Sequence, residues 1–224
     1  MADKKATTKE RLIQAGIEAF AANGFEGTTT RLIAHKAGCN LAAIPYYFGS
    51  KEGLYLAVFE RFTDLHSQYL NHNFEAVHAF LKESDRDPEA ALGYLKQLIG
   101  AMVEFSCSHP PNALHHQLII REQLNPSRAS DILYKKVIRR ELDLVSRLIA
   151  AITGENDHRT TTLKAFILLG QVMAFHHGRQ TIMRHLGLQG YSTPEIEEIR
   201  QLIITWIDKA LMPDQTTRQI PNPS

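Results

Sequence analysis

The chain has 224 residues, a formal net charge of +1, and a hydrophobic fraction of 44%. That much apolar material can bury a substantial core, and the near-neutral balance does not by itself announce a nucleic-acid binder. Two cysteines, Cys39 and Cys107, with no CxxC or CxxC…HxxxH spacing, exclude a zinc finger and point to a reduced, cytoplasmic setting.

The first residues, MADKKATTKER, are polar, and no apolar run approaches the ~20 residues that span a bilayer, so an intracellular protein without membrane contact is expected. Charge is distributed unevenly. Residues 1–51 hold seven Lys or Arg against four Asp or Glu, which suits a polyanion-binding head on a neutral body.

The apolar pattern predicts an all-α fold. Thr8 is placed to cap a first helix to about Asn23, with Leu12, Ile13, Gly16, Ile17 and Phe20 along one face. Asn23-Gly24 ends it. Thr29 or Thr30 caps the second helix, whose inner face is Leu32, Ile33 and Ala37, and Gly38 breaks it. Asn40 caps a third helix from Leu41 to about Phe48, and Gly49-Ser50 stops that one and starts a fourth. The fourth is long, keeping a period near 3.6 through Leu54, Val58, Phe62, Leu65 and Tyr69 towards Leu81. A loop at 84–88 precedes helices expected over 89–106, 111–124, 127–153, 160–186 and 194–211. Breaks are expected at His109-Pro110-Pro111 and Asn125-Pro126, and the tail beyond Met212 reads as disordered.

Residues 28–54, TTTRLIAHKAGCNLAAIPYYFGSKEGL, carry the sharpest functional signal. Two short helices around a Gly-containing turn, then aromatics and a lysine, have the layout of a helix-turn-helix. Small or apolar residues at Leu41, Ala42 and Ala43 allow close approach to base edges and contact with thymine methyls. Thr28 or Thr30 at a helix N-terminus, the Tyr46 and Tyr47 hydroxyls, and Lys51 are candidate phosphate donors. Arg31 and Lys36 add longer-range attraction.

This segment resembles the DNA-binding head of the TetR family of bacterial transcriptional regulators. The resemblance rests on Thr-x-x-x-Ile-Ala-x-x-Ala-Gly over 29–38 and on Tyr47-Phe48-x-Ser50-Lys51-Glu52-x-Leu54. It implies that Leu41, Ala42, Ala43 and Tyr46 face bases while Thr28, Thr30, Tyr47 and Lys51 face phosphates. Pro45 departs from the family pattern, which usually has Tyr there. A proline removes the N–H that would bond the Leu41 carbonyl, so the recognition helix is expected to be irregular or to start late.

The remainder resembles the YbiH/CecR-like branch of that family, through Arg121-Glu122-Gln123-Leu124-x-Pro126-Ser127 and Leu168-Leu169-Gly170-Gln171-Val172-x-Ala174-Phe175. The resemblance implies a three-helix head over 1–52, a larger helical ligand-binding and dimerisation body over 53–212, and a tail over 213–224. The expected function is a ligand-responsive regulator, most simply a repressor released from operator DNA by a small-molecule effector, with neither cofactor nor catalysis. Tyr94, Phe105, Leu118, Arg121, Glu122, Tyr134 and Phe175 are candidate pocket residues, and Arg121-Glu122 could equally be a structural salt bridge closing its helix. Phe166, Leu169, Gly170, Met173 and His177, with Ile199, Ile203 and Trp206, form stripes suited to a homodimer of paired helices.

Two rival readings are weaker. Glu75-x-x-His78 and Glu155-x-x-His158 imitate di-iron spacing, but the second falls in an apparent loop. Ser67, Ser106 and Cys107 lack a glycine-rich elbow and a third catalytic partner. A metal-sensing regulator is the alternative that survives best, ahead of a helical metalloenzyme.

Overall fold

The computed structural model describes residues 6–108 and 112–212. Every regular element among them is helical, as the apolar period predicts. The expected tail beyond Met212 and the break at 109–111 lie outside the described residues. In chain order the helices are α1 (Thr8–Gly27), α2 (Thr30–Lys36), α3 (Ala43–Phe48), α4 (Lys51–Phe80), α5 (Pro88–Ser108), α6 (Asn112–Leu124) and α7 (Arg128–Leu133). A π-helical turn over Tyr134–Ile138 leads into α8 (Arg139–Thr153), followed by α9 (His158–His177), α10 (Arg179–Leu186) and α11 (Thr193–Leu211).

Caps set these boundaries. Thr7, one residue before the expected Thr8, caps α1 in a reciprocal box with Glu10. Gly24 sits at φ 72 inside the assigned span of α1, so the regular helix ends where Asn23-Gly24 predicts. Thr29 caps α2 and Ser50 accepts the Gly53 N–H at the start of α4. One break was not anticipated: Gly178 divides the helix expected over 160–186 into α9 and α10, and a Cβ there would sit 2.8 Å from the Ala174 carbonyl oxygen.

Two compact units result. The first joins Met1–Gln68 with Pro110–Ile138, and the second joins Tyr69–His109 with Arg139–Ser224. In the first, α1 packs against α2, α3 and α6 around Phe20, Tyr55 and Phe59. Phe20, Phe25, Tyr55 and Phe59 form a chain of edge and stacked ring contacts at centroid distances of 4.9–6.0 Å. In the second, α5 is flanked by α8, α9 and α11 around Leu95, Leu98, Ile99, Val145 and Leu148, all buried. The unit that holds the head therefore also contains α6, α7 and the first half of α4.

Candidate nucleic-acid interface

The corner between α1 and α2 is organised by side chains that satisfy backbone carbonyls. A helix C-terminus leaves its last carbonyls without intrahelical donors. Here the Asn23 amide donates to the Ala19 oxygen at 3.1 Å, and the Arg121 guanidinium on α6 donates to the Ala21 oxygen at 3.2 Å. The Thr28 hydroxyl lies 3.0 Å from the Ala19 oxygen and 2.6 Å from the Gly24 oxygen. The Lys51 ammonium donates to the Phe25 and Thr28 oxygens at 2.9 and 3.1 Å and rests 4.2 Å from the Phe25 ring centroid.

This geometry corrects the reading of Thr28 as a phosphate donor, because the residue is 1% exposed and its hydroxyl points inward. Lys51 has two of its three N–H donors occupied internally, leaving one for a phosphate. Thr30, the first residue of α2, is half-buried.

The turn and α3 follow. Asn40 Oδ1 accepts the Ala42 N–H at 2.9 Å, an Asx-type turn rather than a cap on Leu41. Regular helix begins only at Ala43, and Pro45 falls in its first turn, where a missing N–H is tolerated. Ile44 is fully buried and anchors the helix. Leu41 and Tyr46 project outward at 44% and 80% exposure, Tyr47 is exposed beside Tyr46 with rings 4.8 Å apart, Ala42 is exposed and Ala43 is half-buried. Gly49 at φ 75 ends α3. Gly53 lets α4 approach it closely, since a Cβ there would lie 1.9 Å from the Phe48 carbonyl oxygen. Periodicity gave no hint of that requirement.

Arg121 and Glu122, read from sequence as ligand contacts or as a structural salt bridge closing their helix, engage three separate residues, Ala21, Tyr55 and Ser127, in the same unit as the head. Glu122 is 4% exposed, and its Oε1 accepts the Tyr55 hydroxyl of α4 at 2.8 Å. Its Oε2 accepts the Ser127 N–H at 2.9 Å and hydroxyl at 2.8 Å. Burial, then the hydrogen bond and charge of Glu122, hold the Tyr55 phenol well above the ordinary tyrosine range.

Two family profiles match the chain. "Bacterial regulatory proteins, tetR family" covers residues 12–58, and the C-terminal domain of "HTH-type transcriptional dual regulator CecR" covers residues 91–212. The CecR regulator of Shigella flexneri is 33% identical over 213 residues, spanning 94% of both chains. The chain belongs to the TetR family of bacterial transcriptional regulators. It is a helix-turn-helix DNA-binding regulator and not an enzyme.

Among other relatives of this TetR-family regulator, the repressor NicS of Pseudomonas putida is 30% identical over 103 residues, covering 46% of this chain and 43% of NicS. Solved structures share the fold. AibR, in complex with isovaleryl coenzyme A and operator DNA, superimposes with a TM-score of 0.62 at 13% identity, over 89% of this chain and 97% of that one. FadR of Bacillus subtilis, in complex with stearoyl-CoA, gives 0.58 at 16% identity over 88% and 96%.

The seven pocket candidates are divided between the two units. Leu118, Arg121, Glu122 and Tyr134 belong to the first; Leu118 is buried and Tyr134 is exposed. Tyr94, Phe105 and Phe175 belong to the second, where Tyr94 contacts the Phe80 ring, Phe105 the Tyr69 ring, and the Phe175 carbonyl accepts the Tyr191 hydroxyl. A groove of about 750 Å³ in the first unit runs along α1, α2, α4 and α6, with Ile13, Ile17 and Leu65 among its walls, and none of the seven lines it.

The dimer stripes need one correction. Ile199 and Ile203 are 7% and 3% exposed and fill this chain's own core. The exposed row of α11 is the next one round, Leu202 and Trp206. On α9, Phe166 is 66% exposed, Gly170 and His177 are exposed, and Leu169 and Met173 are half-buried. Leu163 and Ile167, missed in the sequence, share the open face; their i, i+4 spacing was the available signal. Among the described residues no three His, Cys, Asp or Glu side chains come together as a metal site, and no helix is long and apolar enough to cross a membrane.

Proposed function

We propose that this regulator is a homodimeric cytoplasmic repressor that leaves its operator when a small-molecule effector binds. The reading is carried by one observation: α6 is tied to the head directly, by Arg121 to α1 and by Glu122 to α4. An effector that favours a displaced α6 must break those ties or drag α1 and α4 with it. Either changes how α2 and α3 are presented. The effector shifts the equilibrium only by its differential affinity for the two states, and moving it from 99:1 to 1:99 takes about 5.5 kcal/mol of such difference.

In this reading Leu41, Ala42, Ala43 and Tyr46 face bases, while Thr30, Tyr47 and the remaining Lys51 proton face phosphates. Tyr94, Phe105 and Phe175 are the candidates for ligand contact in the body, and Arg121-Glu122 relays rather than binds. The acyl-CoA ligands of AibR and FadR make acyl thioesters the first effectors to try.

Support for the dimer comes from Leu163, Phe166 and Ile167 on α9 and Leu202 and Trp206 on α11, large apolar side chains at least half exposed in a single chain. A second copy would cover them, and doubling a short DNA-reading head multiplies its affinity.

The test is a fluorescence-anisotropy titration of operator DNA with and without effector, at fixed salt. Release on effector addition supports the repressor. Equal affinity of the free and effector-bound protein overturns ligand control, and tighter binding with effector overturns the sign.

A further inference from the structure

The surface that α3 offers to DNA lacks the side chains that ordinarily read guanine and adenine. Residues 39–50, CNLAAIPYYFGS, contain no Arg, Lys, Gln, Asp or Glu. Guanine is read best by a bidentate Arg or Lys, and adenine by the paired oxygen and amide of Asn or Gln. Asn40 is the one carboxamide in the segment, and its oxygen already accepts the Ala42 N–H. That bond holds the carboxamide against the backbone of the turn, so adenine would have to share its oxygen with the Ala42 N–H. Arg31 is exposed on α2, but the first helix of this motif crosses the sugar–phosphate backbone.

What does project is apolar. Leu41, Ala42, Pro45 and Tyr46 are exposed, two on either side of the half-buried Ala43 and the buried Ile44. The Ile44 N–H bonds the Leu41 oxygen at 3.3 Å and the Tyr46 N–H the Ala42 oxygen at 3.2 Å, so the turn that carries Leu41 and Ala42 runs directly into the first turn of α3, which carries Pro45 and Tyr46. The face is an isobutyl group, a methyl group and a proline ring, bordered by a phenol. The major-groove feature complementary to such a face is the C5-methyl group of thymine.

We infer that direct base recognition by this protein is dominated by thymine-methyl contacts to Leu41, Ala42 and Pro45, with the Tyr46 phenol at their border, so that its operator half-site is specified by thymine rather than by guanine. Pro45 is a specificity residue in this scheme: it replaces a side-chain donor with apolar surface at the centre of the reading face. The inference rests on α3 entering the major groove, as the proposed function requires.

The experiment uses the full-length protein and an operator selected by it from random duplexes. Each thymine of the selected half-site is then replaced singly by uracil, which keeps every hydrogen-bonding group and removes only the methyl. Burial of one methyl predicts about a fourfold loss of affinity, and about fifteenfold when the symmetry-related pair is removed. Uracil at thymines outside the half-site is the control and should change nothing. Leu41→Ala, at an exposed position, should bring the penalty at one of the sensitive thymines close to onefold, with an unchanged melting temperature.

Selected half-sites whose invariant positions are guanines, with every uracil substitution neutral, would overturn the methyl inference and leave the DNA reader standing. Failure to select any preferred duplex would remove the reader itself, and this inference with it.

Discussion

Tyr55→Phe removes one oxygen and little else. The ring keeps its neighbours Phe20, Phe25 and Phe59, whose centroids lie 4.9–5.1 Å away. The lost interaction is the 2.8 Å hydrogen bond to Glu122, with Tyr55 5% and Glu122 4% exposed. A hydrogen bond to a charged group contributes about 1.5–3 kcal/mol, and burial prevents water from replacing it. Glu122 keeps its two bonds to Ser127 on the other oxygen, so the loss should stay within that range. Glu122→Gln should cost a similar amount, because an amide that keeps its oxygen on Ser127 turns its NH2 to the Tyr55 hydroxyl oxygen, and the Tyr55 proton then loses its buried acceptor. The double mutant should fall about 1–2 kcal/mol short of additivity. Urea denaturation at one fixed protein concentration measures all three, with the m-value as a check on the mechanism of unfolding. A Tyr55→Phe change within about 0.5 kcal/mol of the parent would show that the α4–α6 tie contributes little, and the relay through α6 would rest on Arg121 and α1 alone.

Lys51→Ala should lower the melting temperature of the DNA-free protein, since two carbonyls and the Phe25 ring lose the ammonium; an unchanged melt with weaker DNA binding would make it a phosphate contact alone. Phe166→Glu with Trp206→Glu should give a monomer by light scattering, because two charges would enter the proposed dimer face, and a persisting dimer would place the interface elsewhere. Burial pushes the Cys107 thiol up from 9.0 to about 11, partly offset by Arg179. The folded state therefore holds this proton longer than the unfolded chain, so the stability it contributes is present below pH 9.0 and lost as pH rises towards 11. At pH 8, thiol reagent should modify Cys39 and spare Cys107 until the protein unfolds; simultaneous modification would contradict the burial.

Much of the fold was legible because its signals are local. Apolar period, threonine and serine caps, and glycine stops placed the helices of the head to within a residue or two, and Pro45 correctly announced a late start to α3. Gly178 was missed because Phe166 to His177 and Ile182 to Leu186 keep an uninterrupted apolar pattern, and one glycine inside it is a weak stop. Ile199 and Ile203 were apolar at helical spacing, which identifies a buried row without saying whether its own chain or a second copy does the burying. Only the exposure of Leu202 and Trp206, one row away, separates the two.

The site was harder because its decisive contacts are distant in the chain. Arg121 meets a carbonyl 100 residues away, and Glu122 a hydroxyl 67 residues away. No periodicity links such positions, so a charged pair in an apolar helix looks the same whether it holds a ligand or a neighbouring helix. The same distance has a consequence for interpreting variants. Asn23, Thr28, Lys51 and Arg121 all donate to carbonyls of one corner, and that corner sets where α2 begins. Loss of any one donor leaves a carbonyl for the others or for water, so their effects should not add. A weaker grip on DNA after Lys51→Ala is therefore not by itself a phosphate contact. Where Lys51→Ala also lowers the melting temperature, a phosphate contact is shown only if Arg121→Ala, which disturbs the same corner, lowers stability as much and leaves the salt dependence of binding unchanged.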